Sequence, residues 1–97
     1  MPVCGHVHRY HGETSYDDGH RHGYNHLTGC RVQIAGGHHI HRYNNLTTFH
    51  VDHRHRMRNA TGIDYPVPGG HRHRGSTYTS YNDGHRHHAR FRTSLPR

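Results

Sequence analysis

The chain is 97 residues long, 28% hydrophobic, free of tryptophan, and carries a formal charge of +7. No apolar segment approaches the length of a membrane helix, and a large greasy core is out of reach. Composition alone leans towards disorder, because so little apolar burial does not offset the entropy of ordering a chain, so a fold of this size needs another staple: metal coordination, self-assembly, or both.

The first residues, Met-Pro-Val-Cys-Gly, lack the charged and apolar regions of a secretory signal. The expectation is a cell or spore surface reached without a classical signal, with the cytoplasm as the alternative. Residues 5–29 then form a first unit. His6, His8 and Tyr10 alternate with Val7, Arg9 and His11, which is the period of a strand. Thr14-Ser15-Tyr16 follows, then Asp18-Gly19, and then a second pair, His20 and His22. A connector from Cys30 to Gly36 leads to a second unit, residues 37–62. This unit carries His39 and His41, then Thr47-Thr48-Phe49, then His53 and His55. A connector stiffened by Pro66 and Pro68 leads to a third unit, residues 70–94, with His71 and His73, Thr79-Ser80-Tyr81, and His85 and His87. His20, His53 and His85 each lie 14 residues after His6, His39 and His71. A period of 33 and then 32 residues between units fixes the architecture as a repeat.

These patterns predict an all-β single domain, residues 1–97, of three tandem hairpins with a histidine-lined inner face and little conventional core. In the second unit His53, His55 and Met57 share one face, and Arg54, Arg56 and Arg58 take the other. In the third, His85, His87, Ala89 and Phe91 oppose Arg86, His88, Arg90 and Arg92. Two placements of the turn remain open. Centred on Thr14, it sets His8 opposite His20 and His6 opposite His22. The Asp18-Gly19 and Asp83-Gly84 steps instead signal a tighter turn slightly later, which shifts that register and brings early and late pairs together across neighbouring units.

Residues i and i+2 of a strand point the same way, so each His-x-His pair offers two imidazoles side by side, and two such strands give four nitrogens around one point. The expected ligand sets are His6, His8, His20 and His22; His39, His41, His53 and His55; and His71, His73, His85 and His87. All-imidazole ligation suits Zn(II), Cu(II) or Ni(II). A low-complexity tract would not keep arginine, threonine and tyrosine in register as well. His11, His26, His38, His50 and His88 break the three-fold pattern and read as surface or hydrogen-bonding residues. Glu13, Asp17, Asp18, Asp52, Asp64 and Asp83 read as turn chemistry, or as carboxylates orienting metal-bound imidazoles. Cys4 and Cys30 allow a disulfide within the chain or between copies. The spacing of His6, His8 and Glu13 matches a cupin metal motif, but Leu46 and Tyr78 occupy the Glu13 position in the other units, so no catalytic residue is assigned. The arginine faces suit a polyanion such as nucleic acid. Alternation puts the neighbouring aromatics on the histidine side, which weakens that reading.

The string from His6-Val7-His8 through Thr14-Ser15-Tyr16 to Gly19-His20-Arg21-His22, recurring to Asn82-Asp83-Gly84-His85-Arg86-His87, resembles the YmaF-like family of small bacterial proteins. The resemblance covers nearly the whole chain and implies a spore-former-like or related origin. It brings no established activity, and the arginine load without lysine departs from it. The resulting expectation is a non-enzymatic, metal-binding structural protein that assembles with copies of itself into a fibre or a spore or surface layer. Copies would pair through unclosed strand edges. A soluble store or buffer of transition metals is the alternative, and a metal-dependent enzyme or polyanion binder is more distant.

Overall fold

The computed structural model describes residues 6–82 and 84–96, with overall extents of 41 × 29 × 22 Å. The described residues are almost entirely β, in short antiparallel pairs, with one 3-10 turn at Ala35–Gly37 and no helix long and apolar enough to cross a membrane. Three principal hairpins are built from β1 (Arg9–Glu13) and β2 (Gly23–Leu27), β4 (His39–Leu46) and β5 (Arg56–Ala60), and β8 (Arg74–Tyr78) and β9 (His88–Arg92). The connectors add β3 (Arg31–Gln33), paired with the start of β4, and a small ladder of β6 (Tyr65–Val67) with β7 (Gly70–Arg72).

The turn lies at the later of the two expected places. Arg9 pairs with Leu27 and Glu13 with Gly23, and the chain reverses between Asp17 and His20. Asp18 and Gly19 both have positive φ, 54° and 81°, as a two-residue hairpin turn of the primed type requires. In the second hairpin the same turn is made by Val51 and Asp52, at φ 55° and 62° between His50 and His53. In the third, Gly84 (φ 80°) lies between the bridged residues Asn82 and His85, while Asp83 lies outside the described residues. Three steps from Thr14 to Asp17 oppose two from His20 to His22. The extra residue bulges the first strand and keeps the inward face inward.

The register overturns the arrangement centred on Thr14. His8 does not face His20: its carbonyl accepts from the Thr28 N–H, while the His22 carbonyl accepts from the Thr14 N–H. Six residues of strand separate those two rungs, so the two pairs of one unit lie about 20 Å apart at opposite ends of a hairpin.

The hairpins close into a ring. At the late-pair end Thr48 N–H donates to the Gly23 carbonyl, Ser80 to Arg56, and Ser15 to His88, each bond joining one hairpin to the next. At the early-pair end Gly29 donates to Arg42, Gly62 to Arg74, and Ser94 to Arg9. The strand edges that sequence left unclosed are thus engaged at both corners within the chain. The alternating residues point inward, and Arg54, Arg56, Arg58, Arg86, Arg90 and Arg92 all stay exposed outside, as the period predicts. Between the ends lies a small core of Tyr10, Tyr24, Tyr43, Met57, Ala89 and Phe91. Tyr10 stacks on Phe91 at 4.6 Å between ring centroids, and its hydroxyl donates to Asn45. Cys30 is disulfide-bonded; Cys4, the other cysteine of the chain, lies outside the described residues.

Candidate metal centres

With the pairs at opposite ends of each hairpin and the hairpins closed in a ring, like meets like. The early pairs of all three units, His6, His8, His39, His41, His71 and His73, converge at one end, and the late pairs, His20, His22, His53, His55, His85 and His87, converge at the other. The twelve predicted residues are all inward-facing, but they form two sets of six rather than three sets of four. The within-unit grouping fails because the later turn puts the two pairs of a unit at opposite ends of the hairpin, and early-to-late pairing across units fails because neighbouring hairpins bond like end to like end.

In the late cluster the Nε2 atoms of His20 and His53, His22 and His53, His53 and His85, His55 and His85, and His85 and His20 lie 3.1–3.3 Å apart. All six residues offer ligand atoms within 4.8 Å of one another. In the early cluster His6 Nε2 lies 3.2 Å from those of His39 and His41 and 3.1 Å from that of His71, and His73 Nε2 lies 3.1 Å from that of His39. Five of the early set, His6, His8, His39, His41 and His73, meet the same 4.8 Å span, and His71 joins them through its 3.1 Å contact with His6.

The ring contacts have a definite connectivity. In the late cluster each imidazole packs against every other at 4.8–5.0 Å between centroids, except one; the pairs that do not touch are His20 with His55, His22 with His85, and His53 with His87. In the early cluster the contacts span 4.6–5.3 Å and the excluded pairs are His6 with His73, His8 with His39, and His41 with His71. A figure in which every vertex neighbours all others but its opposite is an octahedron. Each His-x-His pair supplies one edge, and opposite vertices always come from different hairpins.

The outer nitrogens fix the tautomer. Nδ1–H of His8 donates to the Ser94 carbonyl (2.8 Å), that of His41 to Gly29 (3.0 Å) and that of His73 to Gly62 (3.0 Å). At the other end His22 donates to Thr48, His55 to Ser80 and His87 to Ser15, each at 2.9 Å, while His20 and His53 donate to Asp18 and Val51. A carbonyl has no proton to give, so these Nδ1 atoms carry the hydrogen and each Nε2 points a bare lone pair inward. The Nε2 atoms of His8 and His87 are buried without a hydrogen-bond partner. Convergent lone pairs without protons between them are the donor set a cation satisfies, and neutral imidazole fits borderline transition metals.

Burial keeps the rings neutral. Desolvation brings His8 and His41 down to about 4, and lowers His6, His22, His39, His55, His73 and His87 as well, with neighbouring imidazoles pushing the same way. Burial raises Asp64, but the His39 N–H and the His38 ring outweigh that and hold it at about 2. Asp64 lies 3.6 Å from His39 Nδ1, Asp17 3.6 Å from His87 Nδ1 and Asp18 3.3 Å from His85 Nδ1, so three of the acids do stand behind candidate ligand rings.

The residues missed as participants are the threonines. Their three-fold recurrence was visible, but their task depends on register. The buried hydroxyls of Thr28, Thr61 and Thr93 accept the N–H of His8, His41 and His73, and those of Thr14, Thr47 and Thr79 accept the N–H of His22, His55 and His87, all at 3.0–3.1 Å. Each pins the backbone of an inner histidine.

A family model for YmaF, described as spore germination protein GerY/YamF, matches residues 5–95. No curated protein and no solved structure matches the chain.

Proposed function

The chain belongs to the YmaF family, and on that premise we propose that it is a non-enzymatic protein of the spore that holds transition-metal ions, one in each histidine cluster, as cross-links between its hairpins. The observation that carries this reading is the convergence of Nε2 lone pairs whose Nδ1 protons are already committed to backbone carbonyls. A shell filled by side chains has no open position for substrate or water, so the ion's work is structural. Because each ion would tie all three hairpins together, its binding energy becomes folding energy, which a chain with so small a core needs.

Elemental analysis of protein purified without a metal column, together with melts in chelator, tests this. Two ions per chain and a large loss of stability in chelator are expected. Less than one ion with an unchanged melt would refute it. In a spore that carries the chain, alanine at His22, His55 and His87 should slow germination.

Self-association is a second reading, favoured by a particular feature. Tyr16, Phe49 and Tyr81 occupy the same place in the three hairpins, just before the turn, and are 69%, 68% and 71% exposed. Three aromatics around the late end would be costly to leave wet, and a second copy would cover them. Light scattering of the chain beside a variant with all three replaced by serine tests this, the expected result being larger particles that the variant loses.

A further inference from the structure

We propose that the two clusters are octahedral six-imidazole sites that select divalent ions of the iron(II), cobalt(II) and nickel(II) kind over zinc(II) and copper(II). This rests on the metal-holding reading above and deepens it by naming the ion class.

The first argument is size. In a regular octahedron the centre-to-vertex distance is the neighbour distance divided by √2. Five neighbouring Nε2 pairs of the late cluster lie 3.1–3.3 Å apart, the edge of an octahedron whose centre is about 2.2–2.3 Å from its vertices, and the six ligand atoms span no more than 4.8 Å. Zinc in structural sites takes four ligands at about 2.0–2.1 Å. To bind it that way, two of the six rings would have to withdraw.

The second argument is that withdrawal is resisted, because five of the six late rings, His20, His22, His53, His55 and His87, donate Nδ1–H to a backbone carbonyl. His22, His55 and His87 are 1%, 1% and 0% exposed, and each is held at Nδ1 by a carbonyl and at its backbone N–H by a threonine. Turning such a ring away breaks a hydrogen bond and leaves a buried lone pair unpaired.

The third is symmetry. Copper(II) favours a tetragonal shell with one axis unlike the other two. The three axes of the late cluster, His20–His55, His53–His87 and His85–His22, are equivalent by the three-fold repetition of the hairpins, each joining the first histidine of one pair to the second of another. No axis is distinguished. Hard ions such as magnesium and calcium are disfavoured by an all-nitrogen shell. In nitrogen-donor sites generally, copper and zinc outcompete iron and cobalt, so a preference for the latter has to come from imposed geometry of this kind.

Metal-stripped chain is dialysed anaerobically against equimolar iron(II), cobalt(II), nickel(II), zinc(II) and copper(II), and bound metal is measured. The cobalt form is also examined by optical and X-ray absorption spectroscopy. The expected result is two ions per chain, cobalt or nickel retained at least tenfold over zinc, the weak pink bands of octahedral cobalt, and six nitrogen neighbours. An intense blue tetrahedral spectrum, or zinc retained at parity, overturns the selectivity while leaving metal holding intact. Retention of no ion at all overturns both. A His6→Ala variant gives a second arm: His6 is a half-buried outer ligand, and its loss opens one vertex of the early octahedron. Two ions should still bind, with the preference against zinc reduced at least tenfold at that site. A preference unchanged by the substitution counts against octahedral control.

Discussion

At the early end the inner ligand is histidine in every hairpin, His8, His41 and His73, and its cross-strand partner is always threonine, Thr28, Thr61 and Thr93. Two residues further along, the corresponding positions hold Tyr10, Tyr43 and Gly75, facing His26, Asn59 and Phe91. The next inward row holds Gly12, Asn45 and Thr77 opposite Tyr24, Met57 and Ala89. Beyond it the pattern returns to threonine and histidine. The ends are three-fold and the middle is not. An octahedron requires equal edges from each hairpin, so any replacement at an end removes a vertex. Packing asks only that volume be filled, and the rows trade it across the ladder: where Gly75 lacks a side chain, the Phe91 ring occupies the space, and where Gly12 lacks one, Tyr24 does.

The sharpest way to break this comparison is to remove one ligand from each end in turn. At free metal about 1,000 times the dissociation constant, each site contributes about 4 kcal/mol, or roughly 15–30 °C in a domain of this size. His8→Ala and His22→Ala each remove a fully buried, threonine-pinned inner ring, unlike the half-buried His6, and the hole frees the rings around it. Each should lower bound metal from two ions to one and roughly halve the difference between melts with and without chelator. The double variant should melt alike in both. A difference as large in the single variants as in the parent would place the metal elsewhere.

Acid attacks both ends of the metal-free protein at once and spares the middle. His8 and His41 are held at about 4 in the fold against an ordinary value near 6.5. The unfolded chain therefore binds more protons between those values. Stability is full above about pH 6.5 and is lost as pH falls towards about 4, with a slope reaching about 1.4 kcal/mol per pH unit for each such histidine. Chemical denaturation in chelator from pH 7.5 to 4.5 should show this decline. A flat profile would mean that the rings are not desolvated as the fold requires.

In the middle, a single methyl should matter only where volume has been traded. A Cβ at Gly75 would fall 2.1–2.6 Å from the Phe91 ring, so Gly75→Ala should cost about 1–3 kcal/mol without changing metal content. Gly62→Ala lies outside the middle, at the early corner, where an added Cβ meets nothing nearer than the Arg74 carbonyl at 3.6 Å; it is the control for a methyl with room and should be close to neutral. Equal effects in urea melts of the two variants would refute the account of Phe91.

Much of this was legible in the residues. Period two showed which side chains face inward, and paired histidines at strand spacing marked the candidate ligands: His53, His55 and Met57 share a face, as do His85, His87, Ala89 and Phe91. The grouping was not legible, because it turns on a few residues of register. The Asp18-Gly19 step pointed to the correct turn, but the second hairpin has Val51-Asp52 there, which carries no such signal. Nor does a sequence show that hairpins close on themselves, since the bonds from Ser15 to His88 and from Ser94 to Arg9 join residues far apart in the chain.

That unusual turn gives the smallest expected effect, and it sharpens the same contrast, because the late cluster hangs from the turns. Val51 is β-branched and sits at φ 55°, a region that costs such a residue about 1 kcal/mol or more, whereas Asp18 at the same place in the first hairpin tolerates φ 54° easily. The Val51 carbonyl accepts Nδ1–H of His53, so the strained residue also orients a candidate ligand. If the valine is retained only as a surface residue, Val51→Asn should relieve the strain and raise stability by about 1 kcal/mol, leaving the backbone carbonyl and the metal content unchanged. If its side chain, which is 55% exposed, is instead needed to hold the turn, the substitution should destabilise and weaken the late site. Melts of Val51→Asn in metal and in chelator separate the two, and the relief of backbone strain predicts the same small gain in both.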